Sequence, residues 1–459
     1  MRLRKGDLTA RVNSNLRVQF GTETLTSYAG LEMISRFLRK IDFAGRLRSA
    51  FSRTPLSGDY TIVQMITLLV AMLLVGGRRL RHIRFLRDDV MVRRFSGLKR
   101  LPDERTLSRW LQQFLGDRLK SLSRFSTEFA ALIIRKLRIL SVVLDLDGSV
   151  LTTGTQVGWA FRGYNNKKRR LPSYYPILLH VGTLSLILGL KNRPGNVHDS
   201  RGAVGFLKDT LRQVRVILDP KTVFHFRMDG AFFQGSVIEF VQRDRCFYTI
   251  RVPMHRWLNL KGIVQMRVRW ERVNNRIDFF QTRLPVDQWG MELDVTVYRK
   301  KVDHLSPRNY QLDLFAPDDP YYEYSAVTTN SPLTGKALWY FMAGRGAQEK
   351  TFAELKSGFG FDSIPTRHYG ANSAWQHIVV LAHNILRAFQ VESGAVAKSK
   401  NPKKTASYIF PSIHTVRFQL LNVAGRLVRT DDGPTLRISR NNIRERLYHQ
   451  VVKFLPRTA

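Results

Sequence analysis

The chain has 459 residues, 44% of them apolar, which excludes a disordered protein and predicts two to four globular domains. Lys and Arg number 74 against 36 Asp and Glu, which gives a formal net charge of +38. This charge favours a protein that binds nucleic acid; a peripheral membrane protein and a ribosome-associated protein are the alternatives. A single cysteine, Cys246, excludes internal disulfides and thiolate metal clusters and predicts a reducing, intracellular environment.

Residues 1–135 carry apolar positions at helical spacing, so we predict an N-terminal helical region. Its most apolar run, Thr61–Gly77, is shorter than the ~20 residues that span a bilayer, and it contains Gln64. We therefore predict a buried helix at this position and no membrane association.

A second helix of this region is expected between Pro102 and Gly116, because Pro is favoured at the start of a helix and Gly just beyond its end. It carries Arg105 and Arg109. A short basic helix after a tight turn is what a helix–turn–helix presents to the major groove of DNA. A helical bundle with a solvated basic face is the alternative.

Residues 136–252 change to a strand-rich pattern. The run Ser141–Ser149 is almost continuously apolar, as in a strand buried on both faces, but it contains Asp145 and Asp147. Two further apolar runs within 175–192 are separated by only two residues and predict an antiparallel hairpin.

An amphipathic helix with Asp199 or Ser200 as its N-cap is expected next, followed by a strand that ends at Asp229. A helix from about residue 235 and another strand complete the segment. Three strands, then helix, strand, helix and strand, is the order of the ribonuclease-H-like fold.

Residues 253–335 alternate like strands and look like a β-rich insertion rather than more of the first sheet. Trp270 and Trp289 in this segment either stack on an unpaired base or pack in a core. The first domain then resumes over 336–395, and a basic C-terminal region covers 396–459. The predicted fold class is α/β: a ribonuclease-H-like mixed sheet flanked by helices, interrupted by the β-rich insertion and preceded by an N-terminal helical DNA-binding domain.

Three acidic residues are candidates for a metal site: Asp147, Asp229 and Glu349. Adjacent strand ends bring two carboxylates within a few ångströms, where their repulsion is costly unless a divalent cation bridges them. Two Mg²⁺ ions about 3.5–4 Å apart assist phosphodiester displacement, so the set predicts metal-assisted DNA strand cleavage and transfer. Asp145 is the rival of Asp147, although Gly148 favours an open site at Asp147.

The stretch Leu338–Gly360 is predicted as one helix, on which Arg345, Glu349 and Lys356 fall within an arc of about 40°. A surface ion pair is one interpretation. However, Arg four residues before Glu is the weaker orientation of such a pair, worth about 0.2–0.5 kcal/mol. A metal or phosphate site explains the stripe better.

Several blocks of the sequence resemble those of bacterial DDE transposases of the insertion sequence 4 superfamily, and most closely the insertion sequence 1380 family. That superfamily has a signature of Arg, three residues, Glu, six residues and Lys, which Arg345–Lys356 matches at every spacing. The blocks "LDLDGS", "RPGNVHDS", "RMDGAFF" and "RHYGANSAWQHIVVLAHNIL" occur in the family's order, and the resemblance spans about residues 55–430. One position differs: the family usually has a Tyr that contacts a phosphate near a flipped base, where this sequence has Met342, with Tyr340 nearby.

The resemblance implies a cut-and-paste transposase that binds terminal inverted repeats, cleaves with Mg²⁺, for which Mn²⁺ can substitute, and joins the 3′-OH end to target DNA. It also implies a homodimer in the synaptic complex and a place at the nucleoid in the bacterial cytoplasm. Arg345 and Lys356 would hold the DNA end, beside the catalytic Glu349.

Two alternatives remain: a domesticated DNA-binding protein that has lost catalysis, and a ribonuclease-H-like nuclease. The intact carboxylate set argues against the first and the basic helical region against the second. Lys167 and Lys168, in a loop before the hairpin, either hold phosphates or are merely solvated. His198 lies either near the metals or in a loop without catalytic function.

Overall fold

The structure, a computed structural model, describes residues 23–163, 165, 168, 170–302, 322–400, 405–431 and 433–455. A nine-stranded mixed sheet forms its centre. In chain order its strands are β1 (Ser141–Gly148), β2 (Ile177–Val181), β3 (Leu186–Lys191), β4 (Val223–Met228), β5 (Phe247–Val252), β6 (Glu271–Asn274), β7 (Ile277–Val286), β8 (Met291–Lys301) and β9 (Tyr322–Thr329). Their spatial order is β3-β2-β1-β4-β5-β9-β8-β7-β6.

Strand β1 occupies an interior position of this sheet. It pairs in parallel with β4 and antiparallel with β2, and β4 pairs in parallel with β5. Helices cover both faces of such a strand, which explains its continuous apolar run. The predicted hairpin is confirmed as β2 and β3. Because β1 and β4 are parallel neighbours, their carboxyl ends lie at the same edge of the sheet.

The β-rich segment is not separate from the first sheet, and that part of the prediction is wrong. Strand β9 pairs antiparallel with β5, with Ala326 opposite Val252, and β8, β7 and β6 continue the sheet from there. Without this pairing the outer edge of β5 would present unpaired backbone groups to solvent. Alternation in the sequence identified the strands but could not show which edge they join.

Helices flank the sheet and form most of the region before it. They are α1 (Leu31–Lys40), α2 (Phe43–Ala50), α3 (Ile62–Val75), α4 (Val90–Ser96), α5 (Glu104–Gln112), α6 (Asp117–Lys136), α7 (Ala203–Arg215), α8 (Gly235–Arg243), α9 (Leu260–Gln265), α10 (Gly335–Ala343), α11 (Gly346–Phe359), α12 (Tyr369–Glu392), α13 (Ile413–Val416) and α14 (Asn442–Phe454). Short strands lie at Leu25–Thr26, Leu151–Thr152, Ser173–Tyr174, Ala397–Lys398, Tyr408–Ile409, Gly425–Thr430 and Gly433–Ile438.

Helix α3 is the buried helix predicted from the apolar run. Thr61 and Gln64 form a capping box at its start, and Gly76 ends it in the left-handed conformation, φ 115°. All residues from Met65 to Val75 are buried. Among the described helices, none alone is long and apolar enough to cross a membrane; α3 passes that test only together with the 3₁₀ helix Leu80–Leu86, and the two are bent by 83°.

The N-terminal helices and the sheet share one hydrophobic core. Helix α12 lies at its centre, with every residue from Gly370 to Gln390 buried, and it contacts α3, α5 and α6 as well as β3. A single cluster of buried side chains runs from Leu31 through the sheet to Leu455. Residue 135, the predicted domain boundary, therefore does not mark a break in the core.

The stretch Leu338–Gly360 is two helices rather than the single helix predicted. Arg227 contacts the chain at the break, where its Nη1 donates a 2.6 Å hydrogen bond to the carbonyl of Phe341. In a continuous helix the amide of Arg345 would donate to that carbonyl, but here it donates to that of Met342. A Cβ on Gly344 would lie 2.6 Å from the same guanidinium nitrogen, so glycine permits its close approach.

Candidate active site

Asp147 and Asp229 meet at the edge of the sheet where β1 and β4 end. Asp147 is the last residue but one of β1, and Asp229 directly follows β4. Nη2 of Arg345 lies 2.9 Å from Oδ2 of Asp147 and 3.5 Å from Oδ2 of Asp229. Two carboxylates that come from different strands thus converge on one cationic nitrogen.

This proximity affects the protonation of Asp147. Burial raises the pKa of its carboxyl to about 7, and although Arg345 opposes the shift, the charge of Asp229 adds to it. A cation in addition to Arg345 would relieve this repulsion. The pair therefore has the electrostatic character of a site for a divalent cation.

Asp145 does not belong to this pair. It is completely buried, Nε and Nη2 of Arg227 contact its two oxygens at 2.6 and 2.9 Å, and Nδ1 of His180 lies 3.0 Å from Oδ2. Burial alone would raise the pKa of Asp145, but the hydrogen bond from His180 and the charge of Arg227 outweigh it and hold the pKa below its ordinary value. These contacts give Asp145 a structural role and favour Asp147 as the ligand.

Glu349 is exposed and lies in the first turn of α11, one turn after Arg345. In the part of the chain that the structure describes, no three His, Cys, Asp or Glu side chains are grouped closely enough to hold a metal ion. The structure therefore brings Asp147 and Asp229 together, but not Glu349 with them. Lys356, two turns further on, donates to the carbonyl of Val150 at 3.2 Å, so α11 runs along the segment that follows β1.

A third carboxylate, Asp199, lies near the pair and was missed from the sequence, where it was expected to cap a helix. The cap is instead Gly202, in the left-handed conformation, and α7 begins after it. The charge of Asp199 raises the pKa of Asp147, and a Cβ on Gly148 would lie only 2.6 Å from its Oδ1. The glycine after Asp147 was the available signal, because it allows another group to approach the strand end closely.

Arg193 holds the loop that carries Asp199. It is 5% exposed; its Nη1 donates to the carbonyls of Asp199 and Arg201 at 2.9 and 3.0 Å, and its Nε to that of Tyr175 at 3.0 Å. Burial is the largest cause of the raised pKa of the Tyr175 hydroxyl, and the charge of the nearby Asp199 adds to it. A buried arginine with these partners fixes the position of Asp199.

The predicted DNA-binding residues of the N-terminal region are on the surface. Arg105 and Arg109 are exposed on α5, whose opposite side buries Leu107 and Trp110. Residues 97–103 connect α4 to α5, a longer link than the ~3–4-residue turn of a helix–turn–helix. Recognition of the major groove by this helix stays a prediction.

Lys168 is exposed, and its amide donates to Oδ1 of Asn165 at 3.0 Å, while Lys167 lies outside the described residues. His198 is also exposed and contacts Oγ of Ser200 at 3.0 Å, as expected of a loop residue.

The aromatic residues of the β-rich segment pack against other side chains. The ring of Trp270 lies 4.7 Å from that of Phe280, and the ring of Trp289 lies 4.8 Å from that of Phe233. Both tryptophans are partly buried, which favours packing over stacking on a base. Met342, where the sequence resemblance leads us to expect a Tyr, packs against the small cluster that contains Tyr298 and Leu338.

The donor set at the sheet edge fits a divalent cation in its chemistry. Asp147 and Asp229 supply carboxylate oxygens, which Mg²⁺ prefers, and they already converge on a cationic atom. Glu349 lies four residues after Arg345, whose guanidinium is that cationic group.

Comparison with known proteins identifies the family of the chain. No curated protein matches the chain. A solved structure, that of the piggyBac transposase synaptic complex with hairpin DNA, is similar at 12% identity and a TM-score of 0.39, covering 94% of this chain and 86% of that chain. The family model described as Transposase DDE domain group 1 matches residues 8–459. Because this match covers nearly the whole sequence, the chain belongs to the Transposase DDE domain group 1 family.

Proposed function

We propose that the protein is a cut-and-paste DNA transposase of the insertion sequence 4 superfamily, most like the insertion sequence 1380 family, with a ribonuclease-H-like catalytic core. It would bind the terminal inverted repeats of its element, cleave there and join the 3′-OH end to target DNA, acting as a homodimer in the synaptic complex. The observation that carries the proposal is the convergence of Asp147 and Asp229 at adjacent strand ends on one cationic nitrogen.

Asp147, Asp229 and Glu349 would hold Mg²⁺, or Mn²⁺ in its place. When bound, two such ions activate the attacking oxygen and stabilise the leaving oxygen in phosphodiester displacement. In the protein alone, Arg345 pairs with both aspartates, at 2.9 and 3.5 Å. With a metal ion held by the aspartates, Arg345 would be free to contact a phosphate of the DNA end.

Helix α11 is separate from α10, because the chain breaks at Gly344 and Arg345. The proposal requires Glu349 on α11 to approach the two aspartates and Lys356 to reach the DNA. Both residues lie within about 40° of Arg345 on the helix surface.

An end-labelled cleavage assay on duplexes with candidate repeat ends tests the proposal. With Mg²⁺ the wild-type protein should cleave at the end. Asp147→Asn, Asp229→Asn and Glu349→Gln should each lower the rate by at least about 10³-fold, since each removes a metal ligand. DNA affinity should change little, because it comes mainly from Lys and Arg.

The matched control is Asp209→Asn, which removes an exposed carboxylate on α7 and should cleave like the wild type. More than a few per cent of activity in the Asp147 variant would assign the ligand role elsewhere. Binding without any cleavage would favour the non-catalytic DNA-binding protein. Cleavage of RNA–DNA hybrids, but not of repeat ends, would favour a ribonuclease-H-like nuclease.

A further inference from the structure

A groove of about 1000 Å³ separates the N-terminal helices from the segments around the candidate active site. One wall comprises Arg78–His82, at the start of the 3₁₀ helix, together with Arg105 on α5. The other wall comprises Thr152–Gly154, which follow β1, and the loop Asp362–Pro365, which follows α11. None of the carboxylates assigned to the metal site lines this groove.

The first wall carries more positive charge than the acidic residues of the groove balance. Arg79, Arg81 and Arg105 are exposed. Within the part of the chain that the structure describes, none of these three arginines forms an ion pair with a carboxylate. Glu104 lines the groove as well, but Arg84 neutralises it at 2.6 Å. Asp362 is the remaining acidic group.

The neighbouring His82 responds to this charge. Burial is the largest cause of its lowered pKa, and the charges of Arg81, Arg79 and Arg78 lower it further. The three guanidinium groups thus act together on one point of the wall. A positive potential focused between two walls attracts a polyanion.

Hydrogen bonds join one wall of the groove to α11, and α11 to the segment that follows β1 and its Asp147. Nη1 of Arg78 donates to the carbonyl of Ser357 on α11 at 2.8 Å, and the preceding residue, Lys356, donates to the carbonyl of Val150. Thr152 is five positions beyond Asp147 on the same chain segment. A strand that leaves the carboxylate pair along α11 would therefore enter this groove.

We propose that the groove binds the sugar–phosphate backbone of the DNA adjoining the scissile phosphate. The inference rests on the proposed function and adds to it a path for the DNA. It also changes the role expected of Arg105, which contacts phosphate in the groove instead of reading bases. Arginine suits this role because its planar guanidinium binds phosphate oxygens with two parallel hydrogen bonds.

The test uses the full-length protein with Asp147→Asn, so that binding is measured without cleavage. Fluorescence anisotropy at several salt concentrations compares a terminal-repeat duplex with a scrambled duplex of equal length. The double variant Arg79→Ala, Arg81→Ala should reduce the slope of log affinity against log salt by about 1.8, because each lost phosphate contact removes about 0.9. Affinity for the two duplexes should fall by the same factor, since phosphate contacts carry no sequence information.

Arg243→Ala is the matched control, because Arg243 is exposed on α8, outside the groove, and its loss should leave the slope unchanged. The double variant Arg79→Lys, Arg81→Lys should restore the slope, since the charge is retained. An unchanged slope in the Ala double variant, with an unchanged melting temperature, would overturn the proposal.

Arg105→Ala provides an independent check. It should weaken binding to the repeat and to the scrambled duplex equally; a loss confined to the repeat would mean that Arg105 reads bases and would overturn its assignment to the groove. The proposed transposase function and the proposed DNA-binding groove can be refuted independently of each other. A wild-type protein that does not cleave repeat ends, but whose groove variants show the expected slopes, would contradict the transposase assignment and support the groove.

Discussion

Among single residues, Asp147 lowers the stability of the cation-free protein at high pH, and a bound cation would remove this loss of stability. Its pKa in the folded protein, about 7, lies above the ordinary value of 3.8, so between these values the folded state holds a proton that the unfolded state has lost. The contribution of this group to stability is therefore present at low pH and is lost as the pH rises through 7. At pH 8 the ionised Asp147 destabilises the fold.

Asp147→Asn should consequently stabilise the cation-free protein at pH 8. The pKa shift corresponds to at most about 4 kcal/mol. We expect about 2 kcal/mol, because 26% of the side chain is exposed and solvent screens its charge. The gain should shrink toward pH 4, and denaturant unfolding at both pH values measures it. Mg²⁺ should raise the melting temperature of the wild type at pH 8 but not that of the variant; equal shifts would contradict a metal site at Asp147.

Arg345 and Lys356 allow a second test at this scale. If both contact phosphates of the cleaved end, Arg345→Ala and Lys356→Ala should each reduce the salt slope of binding by about 0.9 and slow cleavage, because the scissile bond is no longer aligned. A plain surface ion pair is worth only about 0–1 kcal/mol and predicts no change in either quantity. Wild-type cleavage by both variants, with an unchanged slope, would refute the role in DNA binding.

Among helices and strands, the sequence predicted those features whose signal lies in neighbouring residues. It did not predict features that depend on residues elsewhere in the chain. The strand that contains Asp147 and the strand that ends at Asp229 were recognisable from apolar runs broken by carboxylates. The break between α10 and α11 was not predicted, although Gly344 and Gly346 lie there, and the Arg227 contact at the break comes from more than 100 residues earlier in the chain. Asp199 was missed because its closeness to Asp147, more than 50 residues earlier, is set by the fold and not by its neighbours in the sequence.

Arg227 should therefore control where α11 begins. Its guanidinium binds both oxygens of Asp145, the carbonyl of Phe341 and Oγ1 of Thr405, a set of contacts that a lysine cannot reproduce. Arg227→Lys should lower the cleavage rate at saturating DNA by at least about tenfold, as Arg345 loses its position, and should reduce the salt slope of binding by no more than the one contact of Arg345, about 0.9.

The control for this variant is Arg212→Lys, on the exposed face of α7, which should behave like the wild type. Single-turnover cleavage, measured well below the melting temperature, separates a positioning effect from a general loss of stability. A variant with a lower melting temperature but normal cleavage would show that Arg227 only stabilises the fold.

At the scale of the whole molecule, Arg417 links regions that the sequence suggested were separate. It is buried, and it donates to the carbonyls of Leu73 and Leu74 at the end of α3 and of Gly358 in α11, at 2.6–2.8 Å. Burial lowers the pKa of Arg417 to about 10, so it stays charged at neutral pH. One side chain of the C-terminal region thus satisfies carbonyls of the N-terminal helices and of the helix that carries Glu349.

Arg417→Ala should lower the free energy of unfolding by about 3 kcal/mol, because it leaves carbonyl groups buried without a donor. Since the regions share one core, the remaining transition should stay single, with far-ultraviolet circular dichroism and tryptophan fluorescence giving the same midpoint. Arg426→Ala, which removes a 53% exposed side chain of the same region, should change stability by less than about 0.5 kcal/mol. Two separate transitions in the Arg417 variant would instead show that the N-terminal helices fold as an independent domain that could bind DNA alone.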